Sequence, residues 1–193
     1  MKKLIYLICF SCLLFGCKAK WAATHPVEDD TYVVVLSLDA FRSDYQDLVD
    51  TPTLDSLTRI GVKSGFTPCF PSLTFPNHYS MATGLHPNNH GLVHNRFLTD
   101  GFGTYVTGNR SDVENPVFYL GEPIWVTAHK QGLKTASYFW VGTETAIQGM
   151  QPDIWKRFDA KVSFQSRADS VIAWLSLPRK ERPRLIMWYI EEP

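Results

Sequence analysis

Asp39 and Thr74 are the two residues of this sequence whose types and positions suit phosphate chemistry. Asp39 ends an apolar run, where a carboxylate can bind a metal ion, act as a general base or form a turn. Thr74 lies two residues before Pro76, at the predicted start of a helix, where amide hydrogens and the helix dipole attract anions. Its hydroxyl becomes a nucleophile only with the help of a base or a metal, and a metal held by Asp39 could provide it. From these residues alone, helix capping by Thr74 remains an equally valid interpretation.

Four histidines near Thr74 in sequence could add a base or metal ligands. His78 follows Thr74 by four positions, and packing or hydrogen bonding is favoured over base catalysis because a metal could activate the hydroxyl. The other three recur at every fourth position: His86, His90 and His94. This spacing suits a zinc site only on a helix, and Pro87 and Gly91 argue against a helix there. We therefore expect these three to structure a loop or lie on the surface.

The elements around Asp39 and Thr74 follow from the local sequence. Residues 32–38 are apolar and rich in valine, which predicts a central parallel strand that is buried on both faces and ends at Asp39. Catalytic groups of open α/β sheets gather at such carboxyl ends. Residues 77–83 predict a helix after Thr74, with Gly84 at its end.

Strands and helices alternate along the remainder of the chain. Further strands are predicted at residues 62–66, 135–140 and 185–190, and further helices at 53–60, 123–130 and 163–175. The last helix places four residues on its apolar side: Val171, Ile172, Trp174 and Leu175. Residues 86–115 are rich in Gly, Asn and Asp and predict a long irregular or short-hairpin insertion. This alternation predicts an α/β fold with a mostly parallel sheet flanked by helices.

The first residues have the composition of an export signal. Two lysines precede an apolar run that is too short to span a bilayer, and the run ends at Cys17 in a bacterial lipobox-like sequence. We predict a signal peptide at residues 1–17 with lipidation of Cys17, then a polar spacer at 18–31. Cleavage without lipidation near Ala19 or Ala23 is the alternative. Cys69 would then be the one free thiol of the mature chain, and we expect it to be a small buried residue.

Composition limits the classes of partner. The sequence has 193 residues, of which 45% are hydrophobic, and its 19 basic and 19 acidic residues give no net charge. A nucleic-acid polymer would require an overall positive field, so we expect no polymer binding, and no protein partner is evident. Phosphate recognition must therefore be local.

Several blocks of sequence occur in an order that is specific to one family. They are residues 35–42 (VLSLDAFR), 51–55 (TPTLD), 70–79 (FPSLTFPNHY), 83–87 (TGLHP), 90–91 (HG), 121–125 (GEPIW), 138–140 (YFW) and 188–193 (WYIEEP). Together they resemble the nucleotide pyrophosphatase/phosphodiesterase family of the alkaline phosphatase superfamily. Separate blocks in the right order rarely arise by chance. The resemblance spans residues 32–193 and implies the N-terminal portion of an alkaline-phosphatase-like catalytic domain.

The resemblance also implies roles for individual residues. Asp39 matches a ligand of the first of two zinc ions, and Thr74 matches the nucleophile that also touches that metal. Asn95 matches the amide that binds the phosphoryl oxygens, and Phe75 matches an aromatic residue on the nucleotide-base side of the pocket. The implied reaction is zinc-dependent hydrolysis of a phosphodiester or pyrophosphate bond of a small nucleotide, through a covalent threonine intermediate.

Two departures from the family pattern stand out. Val141 and Gly142 follow the YFW block where a proline before the glycine is usual, and the family's zinc-binding aspartate and histidine after the EEP string are absent. A zinc ion needs about four donors, so we expect the chain to be truncated and inactive by itself. For the full-length protein we expect an exported bacterial lipoprotein, anchored by its lipid and facing the periplasm or the cell surface. Two other functions stay open: hydrolysis of phospholipids, phosphonates or phosphomonoesters, and a non-catalytic envelope lipoprotein.

Overall fold

Residues 31–193 are described by the computed structural model. The predicted signal peptide, Cys17 and the spacer up to residue 30 lie outside the described residues. A four-stranded sheet has the order β1 (Val33–Leu38), β6 (Leu185–Ile190), β4 (Thr135–Tyr138) and β5 (Ile154–Lys156), and all its pairs are parallel. An antiparallel hairpin, β2 (Arg96–Thr99) and β3 (Gly103–Val106), is separate from it. The predicted mostly parallel sheet is confirmed.

Seven α-helices connect or flank these strands in the described part of the chain. In chain order they are α1 (Tyr45–Leu48), α2 (Pro52–Ile60), α3 (Thr74–Thr83), α4 (Pro87–His90), α5 (Arg110–Val113), α6 (Ile124–Lys130) and α7 (Phe164–Leu175). A 3-10 turn lies at Pro116–Phe118. The four long helices begin and end within a few residues of their predicted bounds, because proline starts, glycine stops and a serine cap mark them locally.

One strand prediction is wrong, and another has the right bounds but a different position within the described sheet. β1 lies at the edge of the described sheet, and Val33 and Leu36 are each 47% exposed. The two interior positions belong to β6, whose Ile186 and Met187 are buried, and to β4. Residues 62–66 form no strand, and Val62 is 97% exposed. A short apolar run cannot specify whether a neighbouring strand pairs with it, since pairing is decided by distant segments.

Three further features differ from the predictions or refine them. β5 was not predicted, because three residues are too few to show a strand periodicity. Ile172 of α7 is 60% exposed, whereas Val171 and Trp174 are buried as expected. The insertion at residues 86–115 contains the β2–β3 hairpin and the one-turn helices α4 and α5. A short hairpin was one of its two predicted forms.

The hydrophobic core lies where α3 and α6 face the sheet. Tyr79 of α3 is fully buried, and its hydroxyl donates to the carbonyl of Leu120 at 3.0 Å. Gly142 follows β4 with a positive φ of 89°, and a β-carbon there would approach the Tyr79 ring at 3.2 Å. Glycine therefore allows the segment after β4 to pack closely on α3, which carries Thr74. Within residues 31–193, no helix has the length and apolar character of a membrane span.

Candidate active site

Thr74 and Asp39 are in direct contact. The Thr74 Oγ1 hydroxyl donates to Asp39 Oδ2 at 2.8 Å. Leu73, not Thr74, occupies the N-cap position of α3, so the capping interpretation of Thr74 is wrong. The threonine is the first residue of the helix, and its hydroxyl points to the carboxylate and not to the backbone.

The backbone fixes the Asp39 carboxylate at the carboxyl end of β1. The Asp39 amide donates to the carbonyl of Ile190 at 2.8 Å, which continues the pairing of β1 with β6. The Ala40 amide donates to Asp39 Oδ1 at 3.0 Å, and Ala40 has a left-handed backbone with φ of 55°. This turn leaves Oδ2 free for side-chain hydroxyls.

Tyr189 is a site residue that the sequence did not reveal. Its hydroxyl donates to Asp39 Oδ2 at 2.9 Å, the same oxygen that Thr74 contacts. Burial and the neighbouring Asp39 carboxylate raise the pKa of Tyr189, so the phenol keeps its proton as a donor. Only the register of the sheet shows that Tyr189 lies near Asp39, because it pairs Tyr189 with Ser37, two residues before Asp39.

His78 connects α3 to β1 without touching the Thr74 hydroxyl. Its Nδ1 lies 2.8 Å from the carbonyl oxygen of Thr74, and its Nε2 lies 2.8 Å from Ser37 Oγ. Burial lowers the pKa of His78 and favours the neutral ring. The geometry agrees with the hydrogen-bonding role that the sequence analysis favoured over base catalysis.

Asn77 braces the loop that precedes Thr74. Its Oδ1 accepts from the Cys69 amide at 2.8 Å, and its Nδ2 donates to the carbonyls of Pro71 at 2.9 Å and Leu73 at 3.0 Å. One side chain thus contacts three backbone groups of this irregular segment: it supplies the acceptor of the Cys69 amide and a second donor to the Pro71 and Leu73 carbonyls, which also accept from the amides of Leu73 and Asn77. The Asn77 side chain, which belongs to α3, thus attaches the start of the helix to the preceding loop.

A large cavity opens in front of the Asp39–Thr74 pair. Its volume is about 710 Å³, and both residues line it together with His78. Arg42 and Lys63 add two positive side chains to its wall, although Arg42 also pairs with Asp44 at 2.6 Å. The charge around the pair therefore suits an anionic ligand.

A second cavity, the aromatic cavity, has a volume of about 220 Å³. Its wall includes the rings of Phe75, Phe139, Phe158 and Tyr189. Phe75 follows Thr74 directly, and its ring lies 6.4 Å from that of Tyr105, between centroids. An ion pair between Arg110 and the nearly buried Glu144 lies at its polar side. A flat aromatic ligand with a polar edge would match this lining.

Asn95 directly precedes the hairpin strand β2, which begins at Arg96. Its carbonyl accepts from the Thr107 amide at 3.0 Å. Its side-chain Oδ1 is buried and has no hydrogen-bond partner among the described residues. The described residues that line the two cavities do not include Asn95. The structure therefore brings Asp39, Thr74 and Phe75 together and leaves Asn95 on a neighbouring segment.

The three regularly spaced histidines do not form a shared helical face. The helix α4, which we did not expect, begins at Pro87 and ends at His90, and Gly91 with φ of 91° terminates it before His94. His90 is fully buried, and burial lowers its pKa. Its Nδ1 accepts from the Leu92 amide at 3.2 Å and its Nε2 lies 2.9 Å from Ser80 Oγ. These contacts give His90 a structural role.

Asp39 and Thr74 could contribute to a metal site, but they could not hold a metal ion by themselves. Asp39 Oδ2 and Thr74 Oγ1 converge at the cavity, and oxygen donors of this kind bind zinc. A zinc ion takes about four donors, and residues 31–193 contain no group of three or more His, Cys, Asp or Glu that could hold one. The two residues therefore fit as two of the donors that a zinc ion would need, and not as a complete set.

Comparison with known proteins identifies one family throughout. Residues 33–193 match the model of the type I phosphodiesterase / nucleotide pyrophosphatase family. The chain is 39% identical over 163 residues to human ectonucleotide pyrophosphatase/phosphodiesterase family member 1, and 38% identical over 164 residues to bovine member 3. A venom phosphodiesterase of Crotalus durissus collilineatus is also 38% identical over 164 residues. Each match covers 83% of this chain, which spans about a fifth of the length of these relatives.

Solved structures show the same fold. An inactive threonine-to-alanine variant of murine ectonucleotide pyrophosphatase/phosphodiesterase 5, in complex with AMP, has a TM-score of 0.78 and 30% identity. Human ectonucleotide pyrophosphatase/phosphodiesterase 5 has a TM-score of 0.76 and 29% identity. The matches cover 85% and 84% of this chain and 44% of each solved chain.

Proposed function

Because this chain belongs to the type I phosphodiesterase / nucleotide pyrophosphatase family, we propose that the full-length protein hydrolyses phosphodiester or pyrophosphate bonds of nucleotides. The observation that carries this proposal is the 2.8 Å hydrogen bond from Thr74 Oγ1 to Asp39 Oδ2 at the wall of an open cavity. A hydroxyl with an adjacent proton acceptor is the minimal arrangement for nucleophilic catalysis.

Thr74 would act as the nucleophile. Its oxygen attacks phosphorus, the bond to the leaving oxygen breaks, and that oxygen departs with the electron pair. As the bond to phosphorus forms, the hydroxyl proton passes along its hydrogen bond to Asp39 Oδ2 and from there to the leaving oxygen. Water then attacks the phosphorus of this nucleotidyl-threonine: its hydroxyl group joins the phosphorus, the bond to the Thr74 oxygen breaks, and its other proton restores the Thr74 hydroxyl. The product released is the nucleoside monophosphate. The first amides of α3 have no partner within the helix and favour an anion beside Thr74.

Two zinc ions are the proposed cofactors, and Asp39 and Thr74 are the described residues that would contact one of them. A bound zinc ion supplies positive charge that lowers the pKa of a hydroxyl and stabilises the transferring phosphoryl group. The remaining ligands would come from outside the described residues.

The nucleotide base would occupy the aromatic cavity. Phe75 joins this cavity to the nucleophile because it is the next residue, and the ring of Tyr189 lines the cavity while its hydroxyl reaches Asp39. Base stacking on an aromatic ring stabilises binding by about 1–3 kcal/mol. Asn95 is proposed as the donor to the phosphoryl oxygens, in keeping with its match to the family's amide. The AMP complex of the murine relative supports a nucleotide as ligand.

Substrate preference tests this proposal. We expect the full-length protein with zinc to cleave the nitrophenyl ester of thymidine monophosphate faster than nitrophenyl phosphate. A preference for the monoester would favour the phosphomonoesterase alternative. Turnover confined to a phospholipid or a phosphonate would favour those alternatives. Loss of all hydrolysis with zinc bound would favour a binding protein.

The role of Thr74 is tested by one substitution and a matched control. Thr74→Ala should abolish turnover while zinc binding, measured by calorimetry, stays largely intact. Thr53→Ala removes an exposed threonine of α2 and should leave turnover unchanged. Equal activity of the two variants would remove Thr74 from its proposed role.

Export and lipidation of Cys17 form a separate part of the proposal. We propose a small-molecule nucleotide as substrate in the cell envelope, and a membrane contact made through the lipid alone. Metabolic labelling with a radioactive fatty acid should mark the wild-type protein and not Cys17→Ala. Equal labelling of both would contradict this anchor.

A further inference from the structure

A buried histidine ties the two catalytic segments together at a second point. His78 begins the second turn of α3 and contacts the Thr74 carbonyl at 2.8 Å and the Ser37 hydroxyl at 2.8 Å. Ser37 precedes Asp39 by two residues on β1, so it lies at the same end of the strand. The pair Ser37–His78 therefore links the backbone of Thr74 to the strand that presents Asp39. We call this pair the clamp.

The chemistry of the partners fixes the tautomer of His78. A carbonyl oxygen can only accept, so Nδ1 must carry the proton that it donates to Thr74. In the neutral ring Nε2 then has a lone pair, and Ser37 donates its hydroxyl to that nitrogen. Both ring nitrogens are used in these bonds. The Thr74 hydroxyl is directed to Asp39 instead, so His78 is not placed to remove its proton.

Aromatic packing fixes the orientation of the ring. The ring of Trp140 meets His78 edge-on at 5.3 Å between centroids, and that of Tyr189 does so at 4.9 Å. The Trp140 indole nitrogen also donates to the His78 carbonyl at 3.2 Å. The His78 ring is buried between Trp140 and Tyr189. It therefore cannot rotate to exchange its two hydrogen-bond partners without displacing these two aromatic side chains.

We propose that His78, as the Nδ1-protonated tautomer, is a positioning residue that together with Ser37 sets the placement of Thr74 against Asp39. This inference deepens the proposed function and rests on it for its kinetic consequence. A nucleophile that is misplaced by about 1 Å can lose about a hundredfold in rate. His78 contacts the Thr74 backbone and a residue two positions before Asp39, so loss of these hydrogen bonds should misplace Thr74 and slow the reaction.

Substitutions can remove each arm of the clamp separately. His78→Asn keeps an amide donor at the position of Nδ1 but cannot reach Ser37, whereas His78→Ala loses both arms. Ser37→Ala removes only the hydroxyl that donates to His78 Nε2 and leaves the bond from Nδ1 to the Thr74 carbonyl in place. Ser56→Ala, at an exposed site of α2, is the matched serine control.

The kinetic test uses the full-length zinc-loaded protein and the nitrophenyl ester of thymidine monophosphate. We expect kcat to fall about tenfold in Ser37→Ala and about a hundredfold in His78→Ala, with KM changed less than twofold. His78→Asn should recover part of the loss, and Ser56→Ala should match wild type. Wild-type kcat in Ser37→Ala, or a loss confined to KM, would overturn the proposal. Ser37→Ala keeps the test valid if His78→Ala does not fold.

A spectroscopic measurement separates this inference from the proposed activity. Nitrogen-15 histidine spectra of the full-length protein should show one ring with Nδ1 protonated and Nε2 bare, and the Nε2 signal should shift in Ser37→Ala. A bare Nδ1 on this ring, or an Nε2 signal that does not change in Ser37→Ala, would overturn the inference even in an active enzyme. If the wild-type protein hydrolyses no ester, the proposed function fails, and the predicted spectrum would still support the clamp.

Discussion

Tyr189 donates its hydroxyl to Asp39 at 2.9 Å, across the seam between β6 and β1. The bond joins two roles in one side chain, since the Tyr189 ring lines the aromatic cavity and its oxygen orients a proposed metal ligand. Groups that orient a ligand are typically as sensitive to mutation as the ligand itself.

Tyr189→Phe should therefore slow the reaction without weakening nucleotide binding. The ring remains in the aromatic cavity, but Asp39 Oδ2 loses one of its two hydroxyl donors. We expect kcat to fall about tenfold and zinc affinity to fall by a similar factor, with KM nearly unchanged. Steady-state kinetics and zinc titration measure the three quantities.

The matched control is Tyr138→Phe, because Tyr138 is a buried tyrosine of β4. It should leave kcat, KM and zinc affinity within twofold of wild type. A rise in KM for Tyr189→Phe with normal kcat would instead assign the hydroxyl to substrate binding.

Arg167 should be required for stability through one buried ion pair. Its side chain is 1% exposed, donates to both carboxylate oxygens of Glu191, and lies between the rings of Phe139 and Phe164, each 4.9 Å from the guanidinium. The Arg167 guanidinium holds the pKa of Glu191 below its usual range. Arg167→Ala leaves that carboxylate without its partner and should cost about 3 kcal/mol of unfolding free energy in urea denaturation.

Arg167→Lys separates charge from geometry in the same experiment. A lysine keeps the charge but cannot bind both oxygens or stack between two rings, so it should recover less than half of the loss. Full recovery would show that charge alone matters at this position.

Asn77→Ala should loosen the loop before Thr74. Three backbone groups, on Cys69, Pro71 and Leu73, lose their side-chain partner. The Pro71 and Leu73 carbonyls keep backbone donors, whereas the Cys69 amide is left without its acceptor. We expect this loss to cost about 1–3 kcal/mol of unfolding free energy. Hydrogen exchange of the Cys69 amide should rise strongly, and Asn77→Asp should protect it because the carboxylate keeps the acceptor. Unchanged exchange in Asn77→Ala would contradict the bracing role.

The buried His90 should make stability fall at acidic pH. Burial lowers its pKa in the folded state, so between that value and about 6.5 the unfolded chain binds the proton first. The contribution of His90 is therefore fully present above about pH 6.5 and decreases as pH falls below it. Each such histidine can change the unfolding free energy by at most about 1.4 kcal/mol per pH unit.

His90→Asn provides the comparison for this pH effect. The asparagine oxygen can still accept from the Leu92 amide but does not titrate. Unfolding free energies measured by urea denaturation from pH 7 to pH 5 should decline less steeply in the variant than in wild type. Parallel curves would show that His90 does not contribute to the slope.

The sequence by itself determined the elements with local signals. Pro52 and Gly61 delimit α2, Ser163 caps α7, and Gly84 ends α3 in a left-handed conformation. Asp39 and Thr74 were also identifiable from sequence, because each lies beside the end of an element where such residues act. Motifs in order along the chain identified the family.

The tertiary structure alone decided which residues meet. Nothing local distinguishes the edge position of β1 from a central one, or shows that Tyr189 reaches Asp39 across 150 positions of chain. His78 similarly finds Ser37 only because the helix α3 packs against the end of β1. Helix and turn signals act over a few residues, whereas strand pairing and side-chain contacts depend on segments that only folding brings together.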